Sequence, residues 1–319
     1  MCGEPTSPPP RHAAFLHAGM IYSTDEELLA VALPFLRDGA TAGDPTLLAG
    51  NERQQRTVRK ELGAPPGITL PDQDHSADAL RLLRDSYTLY SGLVRAGAAQ
   101  IRVLGGLPNG PWGERVRYEA AINHFFSALP VWAICPYDTR DTPDEVLADV
   151  ERSHSHLIGP NGHPSPSPRF EDPSALLNQR ATAQADPLQD LAPDVELVDP
   201  SPARASDAAM VLAEATGLDR DSIDALRLSV GELVGNAYVH GRRPVRVRVW
   251  CAADRVVATV RDAGAGPADP FVGLLPRDPL SHPDDANLLH VIHQAVTEVS
   301  MYTAADGFTV RLVQRPHPD

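Results

Sequence analysis

Apolar residues recur along the first half of the chain in two alternating patterns, short continuous runs and longer stretches with helical spacing. Short runs bounded by Gly or Pro are typical of buried strands, whereas a spacing of three to four residues indicates amphipathic helices. The predicted strands are 13–16, 45–49, 68–70, 101–105 and 131–135, and the predicted helices are 24–38, 53–62, 77–96, 112–128 and 146–153. This alternation predicts an α/β fold with a mostly parallel, doubly wound sheet.

The second half of the chain carries one long helical pattern, 228–241, and a strand at 256–260. Between the halves, residues 160–202 are rich in Pro, Ser, Asp and Ala, which indicates a connector with a short helix over 175–185. A length of 319 residues favours about two domains. We therefore predict a disordered tail (1–11), a first domain (12–170), a linker (171–202) and a second domain (203–315).

Charge and cysteine content narrow the function classes. Acidic residues outnumber basic ones by 42 to 28, a net charge of −14, which argues against direct binding of nucleic acid or of an anionic membrane and favours a basic protein partner. Cys2, Cys135 and Cys251 lack paired spacing, so we expect no disulfides and a reducing cytoplasm. The chain has no apolar run of about 18 residues and no signal-peptide pattern.

The helix predicted over 228–241 carries the most informative motif. Because residues four apart lie one helical turn apart, Glu232, Asn236 and His240 share a face. Apolar residues are expected to bury the opposite side: Leu228, Val230, Leu233, Val234, Ala237 and Val239. A carboxamide oxygen can ligate a magnesium ion held by phosphates, and a nearby carboxylate can take a proton from a nucleophile. A surface helix with scattered polar groups is the alternative interpretation.

A glycine-rich loop follows the strand at 256–260. Its residues 261–267 place Asp262 ahead of Gly264 and Gly266. Glycine tolerates positive φ and lets backbone approach a planar ligand, and Asp can accept a hydrogen bond from an adenine amino group. Taken alone, this pattern is more often an ordinary turn.

In this order, Glu-x-x-x-Asn and Asp-x-Gly-x-Gly resemble the GHKL ATPase family, which includes histidine kinases, the ATP module of gyrase and anti-sigma-factor serine kinases. The similarity covers roughly 203–315 and implies an α+β GHKL (Bergerat) sandwich that binds ATP and Mg²⁺. It implies that Asn236 holds Mg²⁺ against the phosphates and that Asp262 recognises adenine. Gly264 and Gly266 would give the loop its close approach.

Three further roles come from the same resemblance. Glu232 would be the general base that draws a proton from a substrate hydroxyl, and His240 would shape the helix end and the lid. The segment 307–312 resembles the family's final strand, whose Thr309 would approach adenine.

One motif departs from the family. Active members open the helix after the ATP lid with Gly-x-Gly-Leu, whose amides hold phosphates. The corresponding residues here, 283–292, keep an apolar helical pattern but lack the glycines, and Asp284 and Asp285 stand in their place. Like charges near a triphosphate oppose binding. We therefore expect Mg-ATP to bind weakly if at all.

The first domain resembles the MEDS sensory domain over about 12–170. The residues that carry the resemblance are His17-Ala18-Gly19, Leu47-Leu48-Ala49-Gly50, Trp112, Tyr118-Glu119, Asn123, Cys135 to Arg140, and His154. The resemblance implies a small-molecule sensor with a KaiC/RecA-like scaffold. The chain has no Gly-x-x-x-x-Gly-Lys-[Ser/Thr], so we predict no P-loop phosphate site.

Several other residues are candidates for metal or ligand sites. His290 and His293 lack a further paired ligand, so we expect solvent-facing side chains rather than zinc binding. We expect His154 in a solvated loop and Cys135 packed in its strand. Tyr118, Glu119 and Asn123 share a helix face that borders a ligand pocket or serves structural hydrogen bonds.

Two function classes follow. The first is an anti-sigma-factor-type regulator that senses a small-molecule signal and binds a sigma factor, phosphorylates an antagonist on Ser or Thr with ATP, or does both. The second is a non-catalytic interaction module with a degenerate ATP site. Both act through a protein partner without direct nucleic-acid or membrane contact, and a homodimer is compatible with either.

Overall fold

The computed structural model describes residues 14–63, 67–70, 79–105, 112–159, 162–183, 185–275 and 288–316. The chain divides into two compact units, Met1–Leu176 and Leu177–Asp319. The predicted tail, 1–11, lies outside the described residues. Among the helices described, none is long and apolar enough to cross a membrane.

The first unit alternates strands and helices as predicted. Its strands are β1 (Leu16–Tyr22), β2 (Thr46–Ala49), β3 (Ile68–Thr69), β4 (Ile101–Gly105), β5 (Val131–Asp138), β6 (His156–Ile158) and β7 (Pro164–Pro166). Its helices are α1 (Asp25–Ala42), α2 (Glu52–Leu62), α3 (Ala79–Arg95), α4 (Trp112–Phe125) and α5 (Asp144–Ser153). The strands described here form one sheet in the order β3-β2-β4-β5-β1-β6-β7, parallel except for β7. The predicted α/β fold is confirmed.

Local capping explains where the first helices begin. The Thr24 hydroxyl accepts the Glu27 amide, and the Glu27 carboxylate accepts the Thr24 amide, so both orphan donors of α1 are satisfied. Asn51 and Gln54 make the same reciprocal pair at the start of α2. α1 ends at Gly43, whose φ of 73° is the left-handed conformation that glycine adopts without strain.

The two faces of β1 pack against different layers. Leu16, Ala18, Met20 and Tyr22 join a core with residues of α1 and α2. Because side chains alternate along a strand, His17, Gly19 and Ile21 face the other layer. That layer includes Val150 of α5. Helices therefore cover both sides of the sheet, which is the doubly wound arrangement.

The segment predicted as a linker, 171–202, is more structured than expected. It contains α6 (Pro173–Ala183), a 3₁₀ helix (Pro187–Asp190) and β8 (Val195–Val198). β8 pairs antiparallel with β9, and Arg255 makes a 2.9 Å ion pair with Asp186. Trp250 Nε1 donates to the Leu191 carbonyl oxygen at 3.0 Å. Much of the segment therefore packs on the second unit, a tertiary effect that its Pro-rich composition does not reveal.

The second unit is a helix-and-sheet sandwich. Its remaining elements are α7 (Pro202–Ala213), α8 (Arg220–His240), β9 (Arg246–Ala252), β10 (Arg255–Asp262), α9 (Leu288–Ala295), β11 (Glu298–Ala304) and β12 (Gly307–Gln314). The described strands form an antiparallel sheet in the order β11-β12-β10-β9-β8. α7, α8 and α9 cover one face, where Leu226, Val234 and Leu312 are fully buried. The predicted α+β sandwich is confirmed.

Candidate functional site

α8 presents the predicted polar residues along one side. Asp219 begins the helix by accepting a hydrogen bond from the Ser222 amide at 2.8 Å, and the helix runs unbroken to His240. Asn236 and Glu232 lie one and two turns before that end. The buried face consists of Ile223, Leu226, Val230, Leu233, Val234 and Ala237.

Two apolar residues of α8 are not where the sequence predicted them. Leu228 and Val239 are 64% and 74% exposed, not buried. Positions 228, 232, 235 and 239 fall on one stripe of an α-helix, so both residues share the solvent-facing side with the exposed Glu232. The rest of the pattern is sufficient to bury the opposite side.

The loop after β10 is locked by Asp262. Its Oδ1 accepts hydrogen bonds from the Gly264 amide (2.6 Å) and the Arg242 amide (3.1 Å). A side chain at Gly241 would place its Cβ 2.4 Å from Asp262 Cγ, so the end of α8 approaches this carboxylate too closely for any residue but glycine. Among the described residues, no hydrogen bond to Asp262 Oδ2 is found, which leaves this oxygen able to accept one from a ligand.

Gly266 forms part of the wall of a cavity. Its φ of 77° is left-handed, and a Cβ there would lie 2.4 Å from Phe308 Cδ2. The cavity, which has a volume of about 390 Å³, is a size typical of small-molecule sites. It is lined by Leu233, Asn236, Ala237, His240, Gly241, Val260, Asp262, Gly266, Pro267, Val272, Leu288, Leu289, Met301, Phe308 and Val310.

Four of the predicted site residues line this cavity: Asn236, His240, Asp262 and Gly266. Gly264 is not a lining residue but holds the Asp262 carboxylate through its amide. Glu232 is exposed and outside the lining. The structure thus brings together the residues expected around adenine and Mg²⁺, without the expected base.

Thr309 lies on the other side of the sheet, contrary to its predicted approach to adenine. Phe308 and Val310 line the cavity, and alternation along β12 turns Thr309 away from it. Arg311, on the same face as Thr309, donates to the Ala181 carbonyl and to Gln189 Oε1, both at 3.3 Å. That face is covered by the segment containing α6 and the 3₁₀ helix.

The far wall of the cavity comes from α9. Leu288 and Leu289 line it. Residues 283–287, where the sequence departs from the family's glycine motif, lie outside the described part of the chain. His290 and His293 are buried rather than solvent-facing, and His290 Nδ1 lies 3.0 Å from the Gly273 carbonyl oxygen. Because α9 is short, the face that packs its apolar residues against the sheet also carries both histidines into the interior.

The first unit has a second cavity, of about 210 Å³, near the carboxyl ends of β1, β4 and β5. Its polar lining includes Arg53 and Asp138, whose side chains pair at 2.7 Å. Arg140 also donates to Asp138 and to Asp25, and these hydrogen bonds lower the pKa of both carboxyl groups. The cavity edge is therefore a fixed network of ionised groups.

The start of α1 is capped from within the chain. The Glu27 carboxylate accepts the Ser23 amide at 2.6 Å and the Thr24 amide at 3.3 Å, at the N-terminus of α1 where a P-loop protein holds phosphate. The Ser23 amide also lowers the pKa of Glu27, so the group is an anion.

Comparisons with known proteins agree with both halves of this description. Residues 16–155 match the MEDS family (MEthanogen/methylotroph, DcmR Sensory domain), and residues 198–314 match the histidine kinase-like ATPase domain family. No curated protein matches the chain. A solved structure, the cytoplasmic domain of EssC, is similar over 44% of this chain and 30% of that one, with 10% identity and a TM-score of 0.28, values too low to carry an argument. The chain joins a MEDS domain to a histidine kinase-like ATPase domain, the combination of a regulatory, kinase-like protein.

Proposed function

We propose that this protein is an anti-sigma-factor-type regulator. In this proposal the MEDS domain responds to a small molecule, and the ATPase-like domain binds a sigma factor, phosphorylates an antagonist on Ser or Thr, or does both. The observation that carries the nucleotide part is the glycine-walled cavity in which Asp262, Asn236 and His240 meet.

The cavity fits the adenine end of ATP. Apolar side chains such as Phe308 and Met301 supply faces for a planar ring, and Asp262 Oδ2 supplies an acceptor for an amino group. Asn236 lines the same space and would hold Mg²⁺ through its amide oxygen. Bound ATP would supply the phosphoryl group for transfer.

Phosphotransfer would also require Glu232 to act as the base. As a base, its carboxylate has to reach a hydroxyl group of the protein substrate, and its exposure leaves it accessible to such a partner. The second candidate function is an interaction module that has lost ATP turnover. The exposure of Glu232 and the missing lid glycines also favour this function.

The solvent face of α8 supports action through a protein partner. Leu228 and Val239 are large apolar groups more than half exposed, and they flank Glu232 on a single stripe. Apolar side chains with a charged neighbour are typical of protein-binding surfaces. The net charge of −14 suits a basic partner surface and predicts association that weakens as salt rises.

The first-unit cavity suits a small polar ligand rather than a nucleotide. Arg115 and Tyr137 line it beside the Arg53–Asp138 pair, so donors and acceptors are both available. The Glu27 carboxylate holds the Ser23 and Thr24 amides at the start of α1, which disfavours a second anion there. We assign the signal to this cavity.

Calorimetric titration of the full-length protein with Mg-ATP tests the nucleotide part. We expect weak binding that Asp262→Asn reduces by about tenfold or more, because it removes a charged hydrogen-bond acceptor. Asn236→Ala should remove the dependence on Mg²⁺, whereas Asp221→Asn, a surface change on the same helix, should have no effect. Tight binding that ignores both site variants would show that the pocket is elsewhere.

Capture of partners from native extract tests the regulatory part. The full chain, with and without ATP, should retain a sigma factor or an antagonist protein. If neither protein is recovered in either condition, the regulator proposal is contradicted, and the nucleotide result still stands.

A further inference from the structure

Four side chains with metal-binding atoms converge inside the first unit. His17 lies on β1, Cys135 on β5 and Glu119 on α4, and His154 follows the last residue of α5. All four are buried, and one ligand atom from each lies within 4.8 Å of the other three. We call these residues the His17 cluster.

The tautomer of His17 is fixed by its neighbours. The Asn123 amide nitrogen donates to the carbonyl oxygens of Glu119 (2.9 Å) and Ser153 (2.7 Å), so its Oδ1 is the atom that faces His17. That oxygen, 3.2 Å from His17 Nδ1, can only accept. Nδ1 therefore carries a proton, and in the neutral ring Nε2 presents a lone pair to the cluster.

His154 is held in the same way. Its Nδ1 lies 2.9 Å from the Val150 carbonyl oxygen, an acceptor, so the proton sits on Nδ1. Its Nε2 is again a lone pair directed inward. Gly19 makes room for this ring, since a Cβ at that position would lie 3.2 Å from His154 Cγ.

The ligand atoms of the cluster lie close to one another. Glu119 Oε2 lies 3.1 Å from His17 Nε2 and 3.7 Å from His154 Nε2, and Cys135 Sγ lies 3.4 Å from His17 Nε2. Neither Glu119 Oε2 nor His154 Nε2 has a hydrogen-bond partner among the described residues, although both are fully buried. Unsatisfied buried polar atoms are costly, and a cation bound between Glu119 Oε2 and His154 Nε2 would satisfy both.

We propose that the His17 cluster binds a Zn²⁺ ion. Tetrahedral zinc, with bonds of about 2.0 Å to nitrogen and oxygen and about 2.3 Å to sulfur, sets its ligand atoms about 3.3–3.7 Å apart. The three separations above already fall close to that range. Two imidazoles, a thiolate and a carboxylate are also a donor set that suits zinc better than Mg²⁺ or Ca²⁺.

The surroundings of the cluster match those of metal ligands. Each histidine gives its second nitrogen to a fixed acceptor, and Tyr137 donates to Glu119 Oε1 at 3.0 Å, which leaves Oε2 for the ion. Cys135 and Tyr137 also line the first-unit cavity, so cluster and cavity adjoin. On binding, the Cys135 thiol gives its proton to solvent and binds as thiolate.

Nucleophilic catalysis by Cys135 is the competing interpretation. In it, His17 would be the base and Asn123 would supply the amide that orients His17. Burial raises the pKa of the Cys135 thiol well above its usual range, which opposes formation of the reactive thiolate. The Glu119 carboxylate is also the closer neighbour of His17 Nε2, at 3.1 Å against 3.4 Å for the sulfur. The zinc site accounts for all four residues, and the catalytic interpretation leaves His154 unexplained.

Elemental analysis of full-length protein, purified without chelator from zinc-supplemented medium, tests the proposal. We expect close to one zinc ion per chain. Cys135→Ser and His154→Gln should each reduce the retained zinc severalfold, whereas the matched controls Cys251→Ser and His156→Gln should retain it. Zinc-free wild-type protein, or zinc content indifferent to both cluster variants, would overturn the assignment.

A spectroscopic test on wild-type protein guards against variants that fail to fold. After chelator treatment, Co²⁺ should give the strong visible bands of a tetrahedral site and a thiolate-to-metal charge-transfer band. Cys251→Ser should keep the charge-transfer band, because the proposed thiolate is Cys135. A spectrum of octahedral, oxygen-bound Co²⁺ would refute the site whatever the variants do.

Discussion

Gly266 offers a direct test of the cavity wall, because a methyl group there meets two separate obstacles. Its φ of 77° costs a residue with a Cβ about 1–2 kcal/mol. The Cβ would also lie 2.4 Å from Phe308 Cδ2, and overpacking of this kind costs about 1–3 kcal/mol. Gly266→Ala should therefore destabilise the second unit by about 2–5 kcal/mol, a large part of a typical domain stability of about 5–15 kcal/mol.

Gly235→Ala is the matched control. Gly235 lies inside α8, and a Cβ there would meet no atom within 4 Å. The same glycine-to-alanine change should stabilise the helix by about 1 kcal/mol, because alanine loses less conformational freedom. The two variants are thus expected to shift stability in opposite directions.

Differential scanning calorimetry of the full chain measures both effects. For a unit of this size, 1 kcal/mol corresponds to roughly 4 °C in Tm. The transition of the second unit should fall by roughly 8–20 °C in Gly266→Ala and rise by roughly 4 °C in Gly235→Ala. A Gly266→Ala protein that melts with the wild type would show that the loop relaxes freely, and the wall described above would then not be rigid.

Three further outcomes are expected. Asp44→Ala should cost about 3–5 kcal/mol in urea unfolding, because it leaves the fully buried Arg102, now 3.2 Å from Asp44, without its counter-ion. Burial raises the pKa of Asp186, but hydrogen bonds from Arg255 outweigh this, and the net pKa lies below the usual range. The pair therefore stabilises fully above about pH 4, and acid titration should show the Tm values of wild type and Asp186→Asn converging as the pH falls through the lowered pKa. Glu232→Ala should slow any phosphorylation of the antagonist by about 10²–10⁴ while partner binding persists, and unchanged phosphorylation would remove Glu232 as the base.

Element positions were largely predictable from the sequence because each depended on local patterning. α2 was predicted as 53–62 and runs over Glu52–Leu62, and the strand at 101–105 was predicted with its exact bounds. The helix carrying Asn236 was found from its spacing alone. Periodicity states which residues share a face, and for strongly amphipathic segments that is sufficient.

Two residues whose positions were predicted wrongly share a different cause for the error. Thr309 was placed by resemblance to a family and His154 by its neighbours in sequence, but the surroundings of both come from residues far away along the chain. Thr309 faces away from the cavity because β12 registers Phe308 with Asp262. His154 is fully buried because Gly19 leaves space for its ring. Neither contact has a signal within a short window of sequence.

The two units use a carboxylate in ways that differ physically. In the first, Glu27 supplies a permanent anion to the amides at the start of α1, so the fold gains from its own carboxylate what a ligand would otherwise provide. Removing Glu27 would uncover those amides and cost α1 its capping box. In the second unit, Asp262 fixes its loop with one oxygen and leaves the other to the cavity. A carboxylate needed only for the fold would be expected to use both, and this asymmetry is the reason to seek a ligand in the second unit's cavity first.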